Sequence, residues 1–204
     1  MPKREPTAEM FLKDVAKHEM AVKHQDGIYR NIRFREPGNS NMWFDLVTWP
    51  DFLTIAGDMG TWTFSRMPDM FEFFRSSTLE INADYWSEKL QHGTHGGSYG
   101  AKVYDRESYS ERLLTQLSEY YGFEDDPLKE LTEAVKNEVL SGDCEYDLLI
   151  AARDFEHVFP DGATFQFDSC ELPDGMVYAY QFIWCLYAIV WGIQRWDAGT
   201  GMAG

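Results

Sequence analysis

The sequence has few cysteines, and their positions exclude several classes of protein. Only three occur among 204 residues, and no two of them form a Cys-x-x-Cys pair. An odd, widely spaced set does not build the disulfide framework of a small secreted domain or the paired thiolates of a zinc ribbon. The thiols Cys144, Cys170 and Cys185 therefore predict a chain kept in a reducing, cytoplasmic compartment.

A long hydrophobic run is also missing. The most apolar stretch is FIWCLYAIVWGI, residues 182–193, and twelve residues are too few to cross a bilayer. The first ten residues, MPKREPTAEM, carry charges but lack the apolar segment that a secretory signal needs. We therefore expect a cytoplasmic protein without a membrane partner, in which residues 182–193 belong to a buried helix.

Two familiar catalytic motifs are absent too. The chain contains no Walker and no His-Glu-x-x-His sequence. No catalytic residue and no cofactor are predicted, and an enzymatic activity is left open without being favoured. The spacing of His92 and His95 resembles a metal-binding pair, which needs further ligands such as Asp105, Glu107 or His157. It supports one alternative function, a small metal-dependent hydrolase acting on nucleotides or nucleic acid.

Basic residues are scarce. The chain has 18 Lys and Arg against 34 Asp and Glu, a formal net charge of −16. Residues 101–150 alone hold 13 acidic and 5 basic side chains. Such a field repels nucleic acid and anionic membranes, so neither is expected as a direct partner, and it attracts basic surfaces. Solubility alone is the simpler explanation for the surplus.

The N-terminal third of the sequence contains a series of segments in which apolar and polar residues alternate. Apolar and polar residues alternate on both sides of Asp26–Gly27, which is a strong hairpin signal, and the second run extends over residues 29–36. Three more strands are expected over Met42–Trp49, Phe52–Ala56 and Thr61–Arg66. Together these segments predict an antiparallel meander of about five strands.

The stretch GDMGTWTFSR, residues 57–66, raises the question of whether its two glycines hold an anion. A phosphate-binding loop requires a helix N-terminus directly after it. Here Trp62 and Phe64 alternate with polar residues and indicate a strand instead. Gly57–Gly60 is therefore predicted to be a hairpin turn, in which glycine supplies a positive φ.

Helical periodicity takes over after Arg66. Helices are expected near residues 67–74, 82–90, 108–121, 126–140, 143–155 and 176–196, with a short strand at 165–167. The predicted fold class is α+β: the meander packs against a mainly helical C-terminal half that ends in a long buried helix. We expect a single domain over residues 1–204, sheet-rich in 1–66, helical in 67–196 and flexible in the tail 197–204.

The acidic helices give the strongest functional signal. Positions 126, 130 and 133 share one helical face, and residues four apart rise about 6 Å along the axis. Rows of carboxylates can therefore approximate, coarsely, the rows of phosphates on DNA. An ordinary solvated outer face is the alternative interpretation. The candidate partner-binding residues are Glu111, Glu119, Glu124, Asp125, Asp126, Glu130, Glu133 and Glu138.

Four stretches resemble a family of small proteins encoded by phages and prophages of Gram-negative bacteria. They are FLKDVAKHEM at 11–20, YRNIRFREPG at 29–38, FDLVTWPDFLTIAGDMGTWTFSR at 44–66 and DMFEFFR at 69–75. The resemblance covers about residues 10–90 and carries over no catalytic residue. It implies a context, because small acidic phage proteins often bind and disable a host defence such as CRISPR–Cas or restriction.

The favoured function is thus a phage-encoded acidic protein that inhibits a bacterial defence or nucleic-acid-handling complex, with DNA mimicry as its mechanism. Its expected partner is a host protein with a basic, nucleic-acid-binding surface. The alternatives are the metal-dependent hydrolase and a structural accessory protein that oligomerises through its aromatic residues. The sequence leaves the oligomeric state and the identity of the target open.

Overall fold

The computed structural model describes residues 5–94, 100–121, 126–142 and 144–200. The chain forms two compact units. We call Lys3–Val103 together with Tyr178–Gly204 the sheet unit, and Tyr104–Val177 the helical unit. Each has a hydrophobic core made of its own residues.

The sheet unit is built on a six-stranded antiparallel sheet whose strands follow one another in sequence order. Its strands are β1 (Glu19–Asp26), β2 (Tyr29–Arg35), β3 (Phe44–Trp49), β4 (Phe52–Gly57), β5 (Gly60–Ser65) and β6 (Leu90–Gly93). Alternate side chains face the core, as Ile32 and Phe34 show in β2. The five predicted strands are confirmed.

The sixth strand was not predicted from the sequence. Residues 82–90 were expected to be one helix, but the helix α3 covers only Ala83–Ser87. After it, Leu90 pairs with Phe64 and Gly93 pairs with Trp62, which extends the sheet by one strand. A four-residue strand has little periodicity of its own, so pairing with β5 decides its conformation.

The final helix, α7 (Tyr180–Thr200), packs against the sheet with α1 (Ala8–Asp14) and α2 (Met70–Phe74). The Trp184 ring lies 5.1 Å from the Phe11 ring and 5.8 Å from the Phe44 ring, both edge-on. Trp191 contacts Phe34 in the same way at 5.5 Å. The long buried helix is therefore confirmed, although it begins and ends four residues later than predicted.

The helical unit has a separate core. Its elements are α4 (Arg106–Tyr121), α5 (Asp126–Ala134), a π-helical turn (Val135–Val139), α6 (Glu145–Asp154), β8 (Glu156–Val158) and β9 (Thr164–Gln166). The chain enters this unit within β7 (Lys102–Tyr104) and leaves it within β10 (Met176–Tyr178). Fully buried core residues include Leu113, Leu131, Val135, Val139 and Leu148.

The start of α4 differs from the prediction. Asp105 supplies the cap, because its Oδ1 accepts a hydrogen bond of 2.8 Å from the Ser108 backbone N–H. The helix consequently begins at Arg106, two residues before the predicted start.

Candidate protein-binding surface

The negative charge of the chain is concentrated in one of its two units. Residues 104–177 contain 19 acidic and 5 basic side chains, a net charge of −14. The remaining residues contain 15 acidic and 13 basic side chains, a net charge of −2. The helical unit therefore carries nearly all of the surplus, although it has little more than a third of the residues.

On α4 the predicted carboxylates lie opposite the buried stripe. Tyr109, Leu113 and Leu117 are buried at helical spacing. At about 100° per residue, Glu111 and Glu119 fall on the far side of the helix, and both are exposed. They are separated by about 12 Å along the axis. The helix thus presents two carboxylates on its outer face.

The helix α5 is arranged in the same way. Leu128 and Leu131 are buried, whereas Asp126, Glu130 and Glu133 are exposed on the opposite face. These three carboxylates span about 10 Å along the axis, so they form a short acidic row.

The other three predicted residues are placed less regularly. Glu138 is exposed within the π-helical turn, where the wider backbone breaks the spacing of α5. Glu124 and Asp125 lie outside the residues that the structure describes.

Few of these carboxylates are neutralised by neighbouring bases. Asp126 pairs with Lys129 at 3.1 Å, and both side chains are largely exposed. Glu130 Oε1 lies 3.7 Å from His157 Nε2. Within the described part of the chain, no ion pair involves Glu111, Glu119, Glu133 or Glu138.

Two arginines of the helical unit are held elsewhere. Arg106 donates to the backbone carbonyl of Leu140 at 2.6 Å. Arg112 donates to Asp174 at 2.7 Å and to the carbonyl of Met176 at 3.4 Å. Both guanidinium groups are therefore committed to bonds that leave the carboxylates of α4 and α5 available to a partner.

A shallow groove of about 450 Å³ follows the outer face of α4. Glu111 and Glu119 stand near its two ends, and Thr115 lies between them. Arg112 also lines the groove, with its charge balanced by Asp174. The groove is therefore a polar surface with acidic ends.

The helix α6 exposes apolar residues that sequence reasoning missed. Tyr146 is 70% exposed and Ile150 is 37% exposed, although Leu148 and Ala152 of the same helix are fully buried. The signal was present in the sequence, because apolar residues recur on two faces of this helix at helical spacing. A helix that is apolar on two faces has one face more than its own core uses.

The glycine pair at 57–60 forms a turn, as predicted. Gly57 and Gly60 are paired at the ends of β4 and β5, and Gly60 has a φ of +95°. Asp58 in the turn accepts a hydrogen bond of 2.9 Å from the Met42 backbone N–H. The stretch thus joins two strands and ties them to a neighbouring loop.

The residues of the hydrolase alternative are not assembled into a metal centre within the described ranges. His92 lies in β6 opposite Thr63, and His95 lies outside those ranges. No group of three or more His, Cys, Asp or Glu among the described residues is placed to hold an ion. His157 packs against the rings of Phe155 and Phe159.

Comparison with known proteins gives no further assignment. No family model matches the chain, and searches of the curated proteins and of the solved structures found no match. Among the described residues, no helix has the length and apolar character needed to cross a membrane.

Proposed function

We propose that this protein is an acidic binding protein that inhibits a nucleic-acid-handling or defence complex of a bacterial host. It does so by occupying a basic surface that otherwise holds nucleic acid. The observation that supports the proposal is the concentration of charge: −14 of the total of −16 belongs to residues 104–177. The bacterial host is implied by the resemblance of residues 10–90 to phage-encoded proteins, and the cytoplasmic location is inferred from the few, widely spaced cysteines.

The spacing of the carboxylates is compatible with a groove that binds phosphates. Neighbouring members of the α5 row rise about 4.5–6 Å, whereas one DNA strand presents a charge every 3.4 Å or so along its axis. The acidic row therefore supplies roughly two charges for every three phosphates of a strand. Such a match is coarse, and it suits a partner that binds the nucleic acid backbone through Lys and Arg rather than through base contacts.

The state of the side chains supports the same conclusion. A carboxylate that is already paired within its own protein gains little from a new base, whereas an exposed, unpaired carboxylate can pair with one. Glu111, Glu119 and Glu133 are of the second kind. The field of the whole unit steers a basic partner towards them and accelerates the encounter.

Capture followed by displacement tests this proposal. The tagged protein is used to capture partners from a Gram-negative lysate, and each captured protein is purified and loaded with fluorescent DNA or RNA. The acidic protein is expected to displace the nucleic acid in proportion to its own binding. The proposal fails if the captured partners do not bind nucleic acid, or if their nucleic acid stays bound when the acidic protein is saturating.

A matched pair of variants links the displacement to the helical unit. Glu111→Gln, Glu119→Gln and Glu133→Gln together remove three charges from α4 and α5. The control variant removes three charges from exposed residues of the sheet unit through Glu19→Gln, Asp26→Asn and Glu80→Gln. We expect the first set to weaken displacement about tenfold and the control to leave it nearly unchanged.

A further inference from the structure

We propose that the outer face of α6 is a docking groove for an amphipathic, basic segment of the partner protein. The segment has a row of apolar side chains with Lys or Arg on both sides. This inference rests on the proposed function, and it adds a short-range anchor to the long-range attraction described above.

The two faces of α6 carry the inference. Leu148 and Ala152 mark the buried face. At about 100° per residue, Tyr146 and Ile150 lie on the opposite side and form a short apolar stripe. Leu149 lies beside this stripe and is partly buried against the core. A helix needs one apolar face to pack into its own unit, so the second stripe is available to another molecule.

The stripe forms one wall of a groove of about 450 Å³. Its other wall comes from Leu172, Pro173 and Met176, which are partly buried. Tyr146, at 70% exposure, stands clear of the surface. Tyrosine and other large side chains in such positions often dominate the binding energy of an interface, because they lose much water contact at low entropic cost.

Charges on both sides of the stripe define the occupant. Glu145 lies along one edge, and Asp147 and Asp154 lie along the other, all three exposed. The exposed Arg153 also lines the groove, so these carboxylates outnumber this base three to one. In the described ranges none of these three carboxylates is in an ion pair. A partner segment with apolar residues in its centre and bases at its edges satisfies both features. A second copy of this face does not, because its acidic edges repel those of the first.

Charge alone does not hold a complex for long, which is why an anchor is needed. Exposed ion pairs contribute little net free energy, and they are weakened further by salt. Burying the apolar stripe against a partner excludes water and slows dissociation. The acidic helices then set the rate of association, and the α6 groove sets the lifetime of the complex.

Two fluorescent peptides of identical composition test the groove with the full-length protein. Both are about 18 residues long and contain only Leu and Lys in alternative orders, one with Leu at i, i+3, i+4 and i+7 and one scrambled. Binding is followed by fluorescence anisotropy at physiological ionic strength. We expect the amphipathic peptide to bind at least tenfold or so more tightly than the scrambled peptide.

Substitutions in α6 test whether the preference for the amphipathic peptide arises from this helix. Tyr146→Ala with Ile150→Ala is expected to abolish the tenfold preference. Val158→Ala, at another exposed apolar residue of the helical unit, is expected to retain it. If the double variant unfolds early in a thermal melt, Tyr146→Ser alone provides the same test, because this side chain is mostly exposed. Equal binding of the two peptides, or a preference that survives these changes, overturns the inference.

The outcome is separable from that of the proposed function. Removing the charges of Glu111, Glu119 and Glu133 is expected to weaken the binding of both peptides by a similar factor. The ratio of their two affinities should therefore stay unchanged. If the protein shows no preference for the amphipathic peptide but still displaces nucleic acid from the captured partner, the docking groove is wrong and the proposed function stands. If the protein prefers the amphipathic peptide but does not displace nucleic acid from the captured partner, the groove binds such segments and the proposed inhibition is wrong.

Discussion

Asp69 links a helix start to a buried arginine. Its Oδ1 accepts a hydrogen bond of 3.0 Å from the Phe71 backbone N–H, so it caps α2. Both of its oxygens also accept from Arg30 at 2.8 Å, and the Arg30 guanidinium lies 4.4 Å from the centre of the Phe71 ring. Burial acts to raise the pKa of Asp69, but the bonds from Arg30 and Phe71 outweigh it, and the pKa is lowered.

The lowered pKa predicts how stability depends on pH. Because the folded-state pKa of Asp69 lies below its unfolded value, the ionised carboxylate stabilises the fold above about pH 4. That contribution is lost as the pH falls through the folded-state pKa. We expect Asp69→Asn to lower the free energy of unfolding by about 2 kcal/mol at neutral pH, because one charged partner is removed. Urea unfolding at a series of pH values should show this deficit shrinking in acid.

Asp51→Asn is the control for this measurement. Asp51 is exposed and has a φ of +71°, a conformation that Asn tolerates well. Its substitution should change stability by less than about 0.5 kcal/mol and keep the acid slope of the wild type. If Asp69→Asn loses stability in parallel with the wild type as the pH falls, the assigned role of Asp69 is wrong.

For individual residues, the sequence predicted which carboxylates are exposed better than it predicted which side chains form ion pairs. Helical periodicity placed Asp126, Glu130 and Glu133 on one outer face, and the structure places them there. The sequence did not indicate that Arg30 would meet Asp69, a residue 39 positions away. Partners so distant in the chain are brought together by the packing of the whole unit.

Among the elements, α7 lies unusually close to the sheet at one residue. A Cβ atom added at Gly192 would lie 2.7 Å from Leu46 Cδ1 and 3.2 Å from Phe34 Cε2. Leu46 and Phe34 are fully buried, so neither can move aside without disturbing the core. Glycine at this position is therefore a packing requirement, even though it is a poor helix former.

The helix offers a matched comparison for this requirement. Gly192→Ala should lower the free energy of unfolding by about 1–2 kcal/mol, because overpacking exceeds the gain in helix propensity. Gly199→Ala should raise it by about 0.5–1 kcal/mol, because only the flexible end of Met20 is near and the site is exposed. Chemical denaturation of both variants measures the two changes. A stabilising Gly192→Ala would contradict the close packing of α7.

Elements with strong periodicity were predictable, and short ones were not. Alternation over β2 to β5 identified four consecutive strands with errors of one or two residues, because each of them buries one face. The strand β6 and the shortened helix α3 escaped prediction, because four or five residues show no clear period. The second apolar face of α6 was overlooked for a related reason: with two apolar faces, its pattern resembles that of a fully buried helix.

For the whole molecule, the main finding is the unequal division of charge between the two units. The sequence placed a large part of the acidic excess in residues 101–150, which hold 13 acidic and 5 basic side chains. It did not show that α7, which comes last, belongs to the nearly neutral sheet unit and not to the acidic one. Contacts between distant segments define the units, so the value of −14 for residues 104–177 emerged only from the structure.

The role of the helical unit's charge is tested most directly by the salt dependence of the affinity for the captured host protein. The wild type and the two triple variants are compared from low to physiological ionic strength. Wild-type affinity should fall about tenfold or more, because salt screens the attraction. Removing three charges from α4 and α5 should flatten that dependence, whereas removing three from the sheet unit should not. An affinity that is insensitive to salt, or equal behaviour of the two variants, would contradict the claim that the charge of the helical unit drives binding.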